Sequence, residues 1–282
     1  MSAGRDMAHR QSPLGDCAAA FLLLSRIPVG WYHFPAERPP NLTSALWAFP
    51  LVGLVIGGSG GAILVAASSL GLPPFAAAVL ALAGMALLSG AMHEDGLADM
   101  ADGFGGGHDA ESIIRIMHDS RIGAYGVLAL ILATALRLAL LALCLETVSG
   151  WALIGFIALI GAASRFQPVL QLAVFPLSPH AKLAALTGRP GMGRLVAALT
   201  LWLPAMVWLS GSIATAIIIL PAFLSSLWIG QIATRRIDGL TGDVIGASTM
   251  FTAIMMLMCC AALGAILPAL ARVLKVARFS SF

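Results

Sequence analysis

Long apolar stretches recur along the chain, at about 44–70, 74–92, 124–145, 151–175, 195–210, 212–232 and 244–271. A hydrocarbon core roughly 30 Å thick needs about 20 apolar helical residues to cross it. Inside lipid every backbone N–H and C=O must find its partner within the segment or in a closed barrel. The stretches are broken by Gly and Ser and show no period-two alternation, which argues against a barrel. Only 10% of the 282 residues are charged, against about 25% in a soluble domain. The pattern predicts an all-α, polytopic helical bundle of about seven transmembrane helices, within a range of about six to eight. It also predicts one membrane-embedded domain over 1–282, with 1–15 a mobile polar tail.

Before the first long stretch, Cys17 to Leu24 is an apolar octet followed by Arg26 and Pro28. No small-residue cleavage site follows it, so it reads as a retained interfacial or re-entrant helix. Residues 30–43 form a Pro-rich linker. Gly53, Gly57 and Gly61 stand four residues apart in the first span, a spacing that lets membrane helices approach closely. The four cysteines, Cys17, Cys144, Cys259 and Cys260, lie in or beside apolar segments without a Cys-x-x-Cys pair, which favours buried small hydrophobes over a thiolate metal site. The net charge of +3 is spread over several loops, so nucleic-acid binding has no support. With seven spans, Arg5, Arg10, Arg26, Arg38, Arg115, Arg121, Lys182, Arg189, Arg194, Arg235 and Arg236 share one side, and the opposite loops carry no Lys or Arg. By the positive-inside rule the charged side is cytoplasmic. The tail residues Arg272, Lys275 and Arg278 then fall outside, unless the first octet or the last segment alters the crossing count.

Residues 93–126 interrupt this apolar background. Seven of the thirteen acidic residues lie there: Glu94, Asp95, Asp99, Asp102, Asp109, Glu111 and Asp119. If 93–102 is helical, Asp95, Asp99 and Asp102 stand at i, i+4 and i+7, on one face. Like charges at that spacing repel, the more so as water is excluded, and a hard divalent cation reverses the sign. Carboxylates are what Mg²⁺ prefers, with waters and phosphate oxygens completing its octahedron. Gly103, Gly105, Gly106 and Gly107 remove side chains at the end of the acidic turn, where backbone amides would approach a substrate phosphate. Arg121 is a phosphate clamp candidate, and Asp243, in Asp238-Gly239-Leu240-Thr241-Gly242-Asp243, is a second metal or substrate contact. The bland alternatives are a solvated acidic loop, a surface Asp119–Arg121 pair and an Asp-Gly turn. Arg165, with Gln167, Pro168 and Gln171 after it, either lines a polar cavity that takes substrate or pairs between helices; Arg137 reads as a structural pairing. The loop 176–194 holds His180, Lys182, Arg189 and Arg194, an anion contact or simply the positive-inside signal.

These residues resemble a known family. His93-Glu94-Asp95-Gly96-Leu97-Ala98-Asp99, Asp102-Gly103 and Asp119-Ser120-Arg121-Ile122-Gly123-x-Tyr125-Gly126 are similar to signatures of the cobalamin synthase family. So are Phe21-Leu22-x-x-Ser25-Arg26-Ile27-Pro28-Val29, Phe49-Pro50-Leu51-Val52-Gly53 and Gly239-Leu240-Thr241-Gly242-Asp243, so that the resemblance spans about 20–250. His118 departs from it, standing where the family pattern has Lys or Arg.

The resemblance implies a transferase of the bacterial inner membrane, its active site facing the cytoplasm. It would join adenosylcobinamide-GDP to α-ribazole, or its 5′-phosphate, with release of GMP. Beside it, the residues alone point to Mg²⁺-assisted phosphate-group transfer. Asp95, Asp99 and Asp102 are the expected metal ligands, with Glu94 and Asp119 as further ligands or the base; Arg121 is the expected clamp. Homo-oligomers are open. The rivals are a CDP-alcohol phosphatidyltransferase, whose aspartates are spaced differently, and a cation transporter, which gives the glycines and Arg121 no role.

Overall fold

Helices in this chain begin and end where Pro, Gly and short polar residues punctuate the apolar runs. The computed structural model describes residues 11–34, 39–148, 150–181 and 187–279, with side chains as far as residue 264. Its elements are α1 (Pro13–Leu24), α2 (Leu42–Ala45), α3 (Phe49–Ser69), α4 (Pro74–Ser89), α5 (Met92–Gly106), α6 (Ala110–Met117), α7 (Ala124–Thr147), α8 (Gly150–Val174), α9 (Met192–Thr200), α10 (Leu203–Ser210), α11 (Ser212–Ile237) and α12 (Gly242–Phe279). Among the described residues six segments are long and apolar enough to cross a bilayer: Leu42–Ser69, Ala124–Thr147, Gly150–Val174, Met192–Ser210, Ser212–Ile237 and Gly242–Gly264. The pair α4–α5, bent by 89°, makes a seventh if it counts as one crossing. The expected all-α membrane bundle is what is found. β-type pairing is limited, among the described residues, to a parallel bridge between Leu177 and Leu240.

One detail differs from the sequence reading. The helix expected from Cys17 starts at Pro13, with Ser12 accepting from Gly15 N, so residues 11–15 are its cap and first turn and not a tail. Residues 1–10 lie outside the described part, as do Arg5, Arg10, Arg38 and Lys182 of the charge count. At 12 residues α1 is about 18 Å long, too short to cross. Its buried Asp16 ties it down by accepting from Ser44 Oγ at 2.6 Å and Trp47 Nε1 at 2.8 Å.

The Gly53, Gly57 and Gly61 stripe on α3 packs on α8. A Cβ added at Gly57 would stand 2.5 Å from Ile157 O, one at Gly61 2.9 Å from Ile154 Cα, and one at Gly53 would collide with Gly161. Two bare helix faces thus meet backbone to backbone, as the four-residue spacing predicts. Gln167 and Gln171 join α8 to its other neighbours: Gln171 Nε2 donates to Ser226 O (2.7 Å) and Ser248 Oγ (3.0 Å), and Thr249 Oγ1 donates to Gln167 Oε1 (2.9 Å).

α5 is set by its two ends. Gly90 (φ 69°) and Ala91 (φ 55°) are both left-handed, which breaks α4 and turns the chain through the 89° bend. At the far end Arg236 of α11 donates to Phe104 O (2.7 Å) and Gly107 O (2.8 Å), satisfying the last carbonyls. Arg cations favour a helix C-terminus.

Candidate active site

A cavity of about 390 Å³ opens where α5, the N-terminus of α12, the end of α6 and the C-terminal part of α8 meet. Its polar lining is His93, Asp95 and Asp99 from α5, His118 after α6, His180 and Thr187 from the loop after α8, and Thr241, Asp243 and Thr249 around the start of α12. Leu23, Leu24, Phe49, Met117 and Leu172 supply apolar wall. The first and second sequence motifs, far apart along the chain, therefore share one space. Gly96 lets them meet: a Cβ there would lie 2.8 Å from Asp243 O. The carboxylates of Asp95, Asp243 and Asp102 all act on the charge of Asp99, and His118 on that of Asp243.

The helix expected at 93–102 is present, and Asp95 and Asp99 stand on its cavity face one turn apart. Asp102, expected with them, is placed elsewhere. Seven residues carry it about 10 Å further along the axis, past the cavity and under the start of α7. There its two oxygens accept from Gly123 N (2.7 Å) and Gly126 N (2.9 Å). Asp102 thus caps α7 from a distance, where a carboxylate also meets the positive end of the helix. Asp102→Ala is expected to lower stability by about 1–2 kcal/mol, read as a lower melting midpoint, with activity following the folded fraction only.

Glu94 also turns elsewhere. Adjacent residues sit about 100° apart around a helix, and Glu94 Oε1 accepts from Arg137 Nη1 of α7 at 2.7 Å. The expected structural pairing of Arg137 is found, and its partner is the residue expected as a metal ligand or base. Arg165 lines the same side, in a second and smaller cavity with Glu94 and Arg137, and is not among the residues lining the first.

Asp119 and Arg121 face outward. Arg121 Nε (3.1 Å) and Nη2 (2.8 Å) donate to the Asp119 carboxylate. That bonding holds the Asp119 carboxyl down to about 2. With 88% of its side chain exposed, Arg121 is a surface ion-pair partner in this structure, as the bland alternative has it. The glycines expected to admit a phosphate pack on protein instead: Gly103 against Met117, Gly105 on the Tyr125 ring and Gly107 against Ile113, with Gly106 in ordinary contact with Ile116. The glycines at the cavity are Gly242 and Gly246. Gly239 has a structural reason, since its φ of 145° and its closeness to Leu177 exclude a side chain.

The polar lining residues that the sequence reading did not assign are His93, His118 as a lining group, Thr187, Thr241 and Thr249. His93 and Thr241 lie inside the quoted motifs, which was the available signal; Thr249 sits in an apolar span and carried none. Among the described residues no three His, Cys, Asp or Glu stand close enough to hold one ion between them. The hard-oxygen donors Asp95, Asp99 and Asp243 suit an ion that takes one or two carboxylates and completes its shell with water and phosphate oxygens, as Mg²⁺ does.

The cobalamin-5-phosphate synthase family model matches residues 16–261. A protein of Azorhizobium caulinodans named adenosylcobinamide-GDP ribazoletransferase is 41% identical over 255 residues, 87% of this chain and 94% of its own. Proteins of the same name from Bradyrhizobium diazoefficiens and Rhizobium meliloti are 39% identical over 254 residues and 38% over 268, covering 87% and 89% of this chain and 92% and 97% of theirs. No solved structure matches the chain. The signatures seen in the sequence, the membrane bundle that brings two of them to one cavity, and these matches agree, and the chain belongs to the cobalamin-5-phosphate synthase family.

Proposed function

We propose that the chain joins adenosylcobinamide-GDP to α-ribazole, or its 5′-phosphate, in the 390 Å³ cavity, with release of GMP. The observation that carries this reading is the meeting of Asp95 and Asp99 with Asp243 in one mostly apolar space. A space of that size is in the range that holds a small organic ligand and is too small to enclose a whole corrinoid. It suits the diphosphate end, with the corrin ring left outside.

One or two of Asp95, Asp99 and Asp243 would hold Mg²⁺, with water and phosphate oxygens completing its shell; when bound it would offset charge on the phosphate oxygens. The other steps belong to the chain. His118 and His180, both on the cavity wall, are placed to donate to phosphate oxygens in their protonated form. A carboxylate of the cluster accepts the proton of the ribazole hydroxyl as that oxygen attacks the corrinoid-linked phosphorus. The bond from this phosphorus to the GMP oxygen breaks, and GMP leaves with the electron pair. Leu23, Leu24, Phe49 and Leu172 keep water from competing with the hydroxyl. Arg115, Arg189, Arg194, Arg235 and Arg236 lie on the loops and helix ends of the motif side, which by the positive-inside rule is the cytoplasmic face.

The test uses the full-length protein in nanodiscs with Mg²⁺ and both substrates, the corrinoid-linked phosphorus made chiral by isotopic oxygen. GMP release that requires the second substrate, with inversion at phosphorus, is expected. Retention, or GMP released from the activated corrinoid alone with labelled protein, would mean a covalent intermediate and overturn the single displacement. The carrier would then be one of the cavity histidines.

A further inference from the structure

We infer that the protein binds a small monovalent anion, of chloride size and charge, in the second cavity. This cavity of about 50 Å³ is enclosed by α3, α4, α5, α7, α8 and α12; Glu94 lines it and Asp95 and Asp99 do not, while His93 stands between it and the first cavity. Its charged wall is Glu94, Arg137 and Arg165; His93 and Ser89 add polar groups, and the rest is apolar, as at Leu141 and Ile157.

The argument is one of charge. Glu94 is paired to Arg137, and among the described residues Arg165 has no carboxylate within ion-pair distance. Its Nη1 donates to Ser164 Oγ at 2.9 Å, while its Nε is shielded from solvent without a hydrogen-bond partner. His93, 4% exposed, likewise has a shielded, unpartnered Nδ1. Two guanidiniums against one carboxylate leave one positive charge in the interior of a membrane protein. Uncompensated ions there are costly.

Water alone would satisfy the open hydrogen bonds but not the charge. A monovalent anion does both, and a divalent one would leave an excess of the opposite sign. Glu94 Oε2, also unpartnered, calls for a donor; a cavity needs only about 10–15 Å³ per water, so a water fits beside the ion. Inorganic phosphate would find apolar walls where its further oxygens would need donors. Because Glu94 precedes Asp95 on α5, the ion would also steady the helix that carries the cavity carboxylates.

The experiment compares full-length protein in detergent with chloride and with gluconate, at equal ionic strength, by thermal unfolding and by equilibrium dialysis with ³⁶Cl⁻. Wild type is expected to melt several degrees higher in chloride, along a saturating single-site curve, and to retain ³⁶Cl⁻ that excess bromide displaces. Arg165→Gln should lose both responses and Arg165→Lys keep them. If Arg165→Gln does not fold, wild-type dialysis still decides. Equal melting in the two salts together with no retained ³⁶Cl⁻ overturns the inference, and so does a chloride response that survives unchanged in Arg165→Gln.

Discussion

Asp99→Asn is expected to cut GMP release by on the order of 10²–10³-fold, the loss seen when a group that organises charge at a reacting centre is removed. Asp243→Asn should fall in the same range, because the two side chains belong to one cavity although they come from α5 and α12. The substitution is nearly isosteric and relieves like-charge repulsion around Asp99, so the variant should melt no lower than wild type. Activity and stability are therefore predicted to part company. Asp119→Asn supplies the contrast. Among the described residues its carboxylate engages only Arg121, on the surface, and exposed pairs contribute little, so its rate should stay within a small factor of wild type. Rates measured in nanodiscs at saturating substrate, beside melting midpoints, check all three. Asp99→Asn at near-normal rate, or Asp119→Asn as damaging as Asp99→Asn, would mean that the chemistry lies outside this cavity.

Gly57→Ala should be among the most destabilising single-atom changes available. The added Cβ would stand 2.5 Å from Ile157 O, and a backbone carbonyl within a helix cannot swing aside. The contacts at Gly53 and Gly61 hold the helices at the same distance, so separating them at one point disturbs all three. A cost of about 3 kcal/mol or more is expected, at the upper end for overpacking. The matched control is its neighbour. A Cβ at Gly58 meets Ala158 Cβ at 3.6 Å, an ordinary contact, and Ala gains about 1 kcal/mol over Gly in helix propensity. Gly58→Ala should thus be neutral or slightly stabilising. Size-exclusion profiles and melting midpoints in detergent separate the two, and equal behaviour would deny the close α3–α8 approach.

Sequence patterns of short range were legible because their physics is local. Apolar length marked the spans, since a helix satisfies its own backbone in lipid. The four-residue glycine spacing marked the packing face without naming α8 as its partner. The period of α5 put Asp95 and Asp99 on one side, and Arg137 read correctly as paired because a charge inside an apolar span needs compensation. The resemblance of the motifs carried the family.

What the sequence by itself determined, then, is the membrane class, the positions of the helices, the family, and the two acidic motifs. Tertiary structure decided which members of those motifs face which space. Helical periodicity fixes the direction of a side chain but not what the next helix has put there. Asp102 shares the face of Asp95 and was expected with it, yet about 10 Å along the axis the start of α7 offers it Gly123 and Gly126 N–H. Glu94, next to Asp95 in the chain, meets Arg137 because α7 passes on that side. Gly105 and Gly107 look open in a sequence and are filled by Tyr125 and Ile113. Asp243 joins Asp99 only because Gly96 lets α12 come close. Each of these is a contact between segments distant in the chain, and such contacts are fixed by how whole helices pack.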